Sequence, residues 1–367
     1  MKSRIATVIF TLAAGLGSAS AELISEISPQ QIDRPYAQIT LKNGKFYWIS
    51  AGQTNADGEL ATFLLMREMD CRSKEKMRKI KTPGTHYIVL TPLSESVRQN
   101  AIVIGMNFQG QWSVIQLNTD LSRMRQVQSL VGMGVVWASA TSRTGYFIAG
   151  TSENDRPVLI YLSADLKNKK TLSQADDHNG EVSSVFESKG RIFALFNRYL
   201  SNKDTGTTPN TELREYSATG APVSRTPLNG MAATGTALKD GGIAISYWID
   251  KQLFIEKRDA KLSALWSTKL HQRSGVASSK GYLLEAGSHI AWVGTNDNKL
   301  LIHRLAQDGK SIQTSIDTKT NIGVPVPDIY SVHSSGNNIY VRGTAGQSLN
   351  PQTGQITEFC FTEQPDS

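Results

Sequence analysis

From about residue 36 onward, apolar and polar positions alternate in short runs, and the runs recur in a fixed order. The second run of each group is the most apolar: KFYWIS, NAIVIGM, YFIAGT, RIFALFN, GIAISYW, HIAWVGT and NIYVRGT. A polar loop follows, then an alternating third run, a turn and a polar fourth run. LIYLSADLKNKK (159–170) shows the last three steps, and VIQLNTDLSRMR, LREYSATGAPVS, FIEKRDAKLSAL and LIHRLAQDGKSI repeat them. A period of two puts alternate side chains on opposite faces of a strand, so each group predicts four strands. The turns hold Asp70, Asp120, Asp165, Thr219-Gly220, Asp259, Asp308-Gly309 and Thr353-Gly354, residues that satisfy or relax tight-turn backbone. Outside the first 21 residues, no segment carries a helical period over about eleven residues or more.

The groups begin near Tyr36, Pro83, Gly132, Ala175, Gly230, Gly275 and Asn321, a spacing of about 45–50 residues that suits a propeller. One four-stranded sheet cannot bury both of its faces, whereas sheets stacked radially can. The expected class is all-β, and residues 36–367 resemble a seven-bladed β-propeller of four-stranded antiparallel blades. The resemblance lies in period and strand pattern. No Trp-Asp dipeptide ends the third runs, no intact Ser-x-Asp-x-Gly-x-x-Trp box occurs, and the tryptophan-docking repeat of quinoprotein propellers is missing. Six blades remain open if the group holding Cys71 is irregular. Trp48, Trp248 and Trp292 fall on second runs, which assigns them to packing between blades.

The first 21 residues stand apart. Lys2 and Arg4 precede the apolar run ATVIFTLAAGLG and the small-residue site Ala19-Ser20-Ala21, the layout of a secretory signal peptide cleaved after Ala21. The run is short for a bilayer span, and no second long apolar segment follows. The expectation is a periplasmic or secreted protein without a membrane span, with residues 22–35 leading into the propeller. Cleavage removes two cations and no anions, so the formal charge falls from +7 to +5. The basic run RSKEKMRKIK (72–81) reads as a solvated outer strand. Export argues against a nucleic-acid partner.

Two cysteines, Cys71 and Cys360, sit near the two ends of the repeat array. First and last blades of a closed ring are neighbours, and an oxidising compartment permits a disulfide between them. Two buried thiols are the alternative.

No Gly-x-Ser-x-Gly, His-Glu-x-x-His or Cys-x-x-Cys-His motif occurs, and no two of the six histidines share metal-ligand spacing. No cofactor is indicated. The densest polar stretch is QADDHNG (174–180), with Asp176, Asp177, His178 and Asn179. It reads as a polar turn, as a Ca²⁺ site built from carboxylates and an amide, or as a base oriented by its neighbour. The longest loop, NRYLSNKDTGTTPNT (197–211), carries Tyr199, Lys203 and Asp204, and long loops in compact folds are often functional. His86, Glu181 and Asp328 open first runs and are candidates to ring the channel mouth. The pattern favours a monomeric, non-catalytic binding protein for a protein or glycan of the cell envelope, in an inhibitor, immunity or assembly role. The alternative is a propeller enzyme, such as a lactonase, lyase or dehydrogenase subunit, acting at the channel mouth.

Overall fold

The computed structural model describes residues 37–40, 46–56, 59–68, 77–81, 89–90, 100–106, 111–118, 124–173, 179–199, 211–249, 252–272, 281–296, 299–317, 328–335, 338–345 and 357–363. All regular structure among them is β-strand, and no helix among them is long and apolar enough to cross a membrane. The chain forms two compact units, residues 1–131 with 347–357 and residues 132–346 with 358–367.

The first unit holds two meanders. Strands β1 (Ala37–Thr40), β2 (Phe46–Ala56), β3 (Glu59–Glu68) and β4 (Met77–Lys81) pair in chain order. So do β5 (Val89–Leu90), β6 (Asn100–Met106), β7 (Trp112–Asn118) and β8 (Met124–Ser129).

Four complete four-stranded sheets follow in the second unit. They are β9 (Met133–Ser142) to β10 (Gly145–Ser152), β11 (Pro157–Ser163) and β12 (Lys169–Thr171); then β13 (Gly180–Ser188), β14 (Arg191–Arg198), β15 (Thr211–Tyr216) and β16 (Pro222–Leu228). Next come β17 (Met231–Ala237), β18 (Ile243–Ile249), β19 (Gln252–Arg258) and β20 (Ala264–Gln272); then β21 (Tyr282–Ala286), β22 (His289–Asn296), β23 (Lys299–Leu305) and β24 (Ser311–Asp317). A last sheet orders β25 (Asp328–Ser335), β26 (Asn338–Ala345) and β27 (Thr357–Glu363), so the strand holding Cys360 pairs third among the described residues. Every predicted second run is a second strand.

Strand parity explains how the second unit is built. Along β14, Ile192, Ala194 and Phe196 turn toward the preceding sheet, where Phe147, Ala149 and Leu159 meet them. Phe193 and Leu195 turn the other way, onto Ile243, Ile245 and Tyr247. The next sheet repeats this: Ala244 and Trp248 leave its opposite face for Ile290 and Trp292, and the two indoles meet edge to face at 6.2 Å between centroids. Ala291 and Val293 then pack on Ile329 and Ile339. Within this unit, β13, β17, β21 and β25 each pack on the first strand of the preceding sheet. Sheets that bury both faces against successive neighbours make this an all-β propeller fold.

Two local devices recur. The third-to-fourth turns share one geometry: Leu166, Gly220, Leu262 and Gly309 donate backbone N–H bonds three residues back and have φ of 59°, 79°, 67° and 85°. This is a tight turn closed by a left-handed residue. The two leucines tolerate that backbone because their side chains pack inward, Leu166 fully buried and Leu262 against the Phe193 cluster. Asp165, Asp259 and Asp308 cap the same turns, accepting backbone N–H bonds from Lys167 at 3.2 Å, Lys261 at 2.8 Å and Lys310 at 3.1 Å.

The second device is a bulge in the first strand. Two residues face one where Trp137, Ser183, one of the pair Ala232-Ala233, and Tyr330 interrupt the pairing of β9, β13, β17 and β25. Bulges bend and twist a strand and re-aim side chains. All four lie toward the end of the sheet that carries the second-to-third loops. There Ser183 Oγ donates to Ala233 O at 2.6 Å and joins two neighbouring bulges.

Candidate functional site

The bulges define equivalent positions across sheets. One step before each bulge pair, Val135, Glu181, Met231 and Asp328 face Thr151, Asn197, Trp248 and Thr344 at the ends of the second strands. Glu181 and Asp328 therefore occupy the same register in their sheets. The side chain of Asp328 lies outside the described residues.

Around Glu181 this register builds a polar cluster. The Glu181 side chain is held in the core, 3 % exposed overall. Asn197 Nδ2 donates to its Oε1 at 3.3 Å, and the Tyr199 hydroxyl donates to its Oε2 at 3.2 Å. Asn197 is the hub. Its Oδ1 accepts from the Ala233 N–H at 3.1 Å and its Nδ2 also reaches Ala233 O at 3.3 Å, which fixes the amide's orientation and ties the sheet to the next bulge. Thr211 Oγ1 lies 2.8 Å from Asn197 Oδ1 and 2.9 Å from Gly230 O, with one proton for the two acceptors. On the other side, Trp137 Nε1 donates to Thr151 Oγ1 at 3.1 Å.

Tyr199 is the accessible part of the cluster. It is 43 % exposed, and Met231 on the neighbouring sheet is 42 % exposed. The Tyr199 phenol is pushed up to about 12, chiefly by burial of its hydroxyl and then by the Glu181 carboxylate, with Asp155 adding to the rise and the Thr151 hydroxyl opposing it. The phenol stays neutral and donating at physiological pH.

Backbone bonds place the cluster at the loop end of the sheets. Gly180 N donates to Asp155 O at 2.8 Å, and Tyr199 N donates to Asn179 O at 2.9 Å. Each bond links a loop after a second strand to the connection before a first strand, so both kinds of segment share this end.

The opposite end is ionic and tightly stapled. Arg191 grips Glu215 through two parallel bonds of 2.7 and 2.9 Å, and Ser224 adds a third at 3.0 Å, so the Glu215 carboxyl is held below its ordinary range. Lys257 bridges Asp240 at 2.8 Å and Gln307 at 2.7 Å, across neighbouring sheets. Trp266 Nε1 and Thr268 Oγ1 donate to Gln307 O and Gly309 O of the next sheet's turn at 2.9 and 2.7 Å.

Of the residues singled out in the sequence, the structure brings Glu181 and Tyr199 together and sets Asn179 beside them through its backbone. Asp176, Asp177, His178, His86, Lys203, Asp204 and Cys71 lie outside the described residues. Among the described residues, no group of three His, Cys, Asp or Glu could hold a metal ion. Sequence reasoning carried Asn197 and Thr211 only as the ends of the 197–211 loop, where the structure has strand ends, and missed Thr151, Trp137 and Met231. One signal was present: Thr151, Asn197, Thr295 and Thr344 end apolar second runs with a polar residue at matching positions.

No protein-family model matches the sequence, and no curated protein matches it. Solved structures do. The chain is similar to a structure from a study of two prolyl endopeptidases (TM-score 0.53, 10 % identity), covering 99 % of this chain and 55 % of that one. It therefore spans about half the length of that protein. It is also similar to a chain of the mitotic checkpoint complex (TM-score 0.52, 10 % identity), covering 83 % of this chain and 82 % of that one. The WD40 domain of Toxoplasma gondii coronin gives a TM-score of 0.49 at 12 % identity, over 83 % of this chain and 74 % of that domain. At such identities the likeness concerns the fold alone.

Proposed function

We propose that this chain is an exported, non-catalytic binding protein, built as a seven-bladed β-propeller, that recognises a protein or glycan of the cell envelope through its loop face. The observation that carries the reading is the Tyr199 cluster. A half-exposed tyrosine stands over a buried, hydrogen-bonded carboxylate on a sheet scaffold, and the neighbouring sheet exposes Met231 at the same end. Tyrosine and methionine are enriched where proteins recognise partners, and recognition concentrates on loops displayed by stable scaffolds. At the other end of the same sheets, Arg191 pairs with Glu215 and Lys257 with Asp240 within the protein.

Capture from an envelope extract of the source cells tests this. Mature wild-type protein, Tyr199→Ala, and the double variant Asp165→Ala with Asp308→Ala are immobilised at equal loading. The reading expects a discrete bound species that is lost on Tyr199→Ala and retained by the double variant. Equal capture by wild type and Tyr199→Ala, with loss on the double variant, would move the site to the opposite end. The N-terminal processing has its own check: mass spectrometry of protein from the envelope fraction should find Glu22 as the first residue, and an intact Met1 there would refute export by this route.

A further inference from the structure

The sequence holds the Asn-Gly pairs Asn43-Gly44, Asn179-Gly180 and Asn229-Gly230. Asparagine before glycine is open to succinimide chemistry, because a residue without a Cβ lets its backbone nitrogen approach the preceding side-chain amide. Asn43 and Gly44 lie outside the described residues. The other two pairs occupy the same register: Glu181 and Met231 are equivalent, so each pair directly precedes that position at the loop end. Both asparagines are exposed.

The two pairs are held differently. Gly180 is already in β13, paired with Arg198, and its nitrogen donates to Asp155 O of the preceding sheet's loop at 2.8 Å. Asn179 O accepts from Tyr199 N at 2.9 Å. The peptide unit joining Asn179 to Gly180 is thus fixed at its oxygen and at its nitrogen. Gly230 lies outside the strands, and its nitrogen donates just two residues back, to Leu228 O at 3.1 Å. Packing demands glycine there, since a Cβ would come within 2.7 Å of Tyr247 Cδ2. Asp240-Gly241 and Asp308-Gly309 offer the same ring closure in principle. Their carboxylates are engaged as anions, Asp240 by Gly242 N and the Lys257 ammonium at 2.8 Å each and Asp308 by Lys310 N at 3.1 Å, and an ionised carboxylate resists a nucleophile.

We propose that Asn229 is a modification site, deamidated through a succinimide formed with Gly230, with water as co-reactant. The Gly230 nitrogen attacks Asn229 Cγ; the new C–N bond closes the ring, the side-chain nitrogen leaves, and the glycine proton ends on the departing ammonia. Water then opens the ring at either carbonyl to give aspartate or isoaspartate. Nothing is oxidised or reduced: one amide and one water become one acid and one ammonia. Either product sets a new carboxylate at the loop end. Isoaspartate also lengthens the backbone directly before Gly230, whose carbonyl accepts from Thr211 Oγ1 at 2.9 Å. The effect on binding rests on the loop-end reading above; the modification itself does not.

The test holds the mature full chain at mildly alkaline pH, native and in urea, and follows Asn179 and Asn229 separately by peptide mass. In the native protein Asn229 should convert at least about fivefold faster than Asn179, the protection that one backbone hydrogen bond supplies. In urea that ratio should collapse. Equal native rates, a faster Asn179 or no conversion at Asn229 overturns the inference, and none of these readings depends on a variant. A ratio that persists in urea overturns its structural basis. Capture of the envelope partner is measured on the same samples. Aged wild type should lose capture in step with conversion at 229, and aged Asn229→Gln should keep it, because the longer side chain closes its ring far more slowly. If Asn229 converts and capture persists, the modification stands and its effect on the loop end fails. If fresh Tyr199→Ala captures as wild type does, the loop-end reading fails, and the peptide masses still decide the modification.

Discussion

At the residue scale, Asn197 shows how one side chain can join neighbouring sheets. Its amide faces Glu181 on its own sheet and both backbone groups of Ala233 on the next. Asn197→Ala leaves those buried groups unsatisfied and should cost about 1–3 kcal/mol, read from chemical denaturation. Asn197→Asp keeps the shape but places a second carboxylate against Glu181, so it should be at least as damaging. Glu215 carries an acid-side prediction. Its folded pKa lies below the ordinary 4.5, chiefly because Arg191 hydrogen-bonds the carboxylate. The stability it contributes is therefore present above that value and lost as pH falls through the folded pKa. Glu215→Gln should flatten that part of the acid limb in a stability-versus-pH series, and an unchanged limb would contradict the assignment. Tyr199 works at the alkaline side. Its folded pKa is raised from 10.0 to about 12, by burial first. Between those values the unfolded chain ionises and the native one does not, so stability falls as pH rises through the window. Tyr199→Phe should remove that share of the loss, and in the wild type this phenol should titrate late in ultraviolet absorbance.

At the element scale, most of the sheet architecture was legible. Period-two alternation and turn residues mark the strands because one parity of each strand must face a neighbouring sheet. Ile192, Ala194 and Phe196 go one way, and Phe193 and Leu195 the other. Phe193, 1 % exposed, belongs to such an interface, and Phe193→Ala should cost about 3–5 kcal/mol in equilibrium unfolding. A loss below 1 kcal/mol would mean that the contact between these sheets is not a packed core. The bulges were not legible. Trp137, Ser183 and Tyr330 have no common chemistry, because a bulge is set by pairing across two strands and not by the residue inserted. The candidate site was half visible for the same reason. Glu181 and Tyr199 stood out as polar residues near a loop, whereas Asn197 and Thr211 sit at strand ends, where a polar residue in an apolar run looks like an ordinary boundary. The turn aspartates were visible, and the structure gives them a structural task in capping backbone.

At the scale of the whole molecule, the contrast between the two ends of the second unit carries the functional account. One end closes on itself through a bidentate Arg191–Glu215 pair, a Lys257–Asp240 pair and side chains that grip the neighbouring turns. The other presents Tyr199 over a buried acid and exposes Met231 on the next sheet. The proposed disulfide between Cys71 and Cys360 belongs to this scale too. Non-reducing digestion should yield one peptide joining the two residues, and full alkylation of both in the native, unreduced protein would rule the bond out. The most direct measurement of the central claim is site-specific photo-crosslinking in an envelope extract. A benzophenone amino acid is placed at Tyr199 in one protein and at Asp308, on the opposite end, in another. The account predicts one discrete adduct from position 199, suppressed by excess unmodified protein, and none from position 308. A discrete, competed adduct from position 308 with none from position 199 would contradict it.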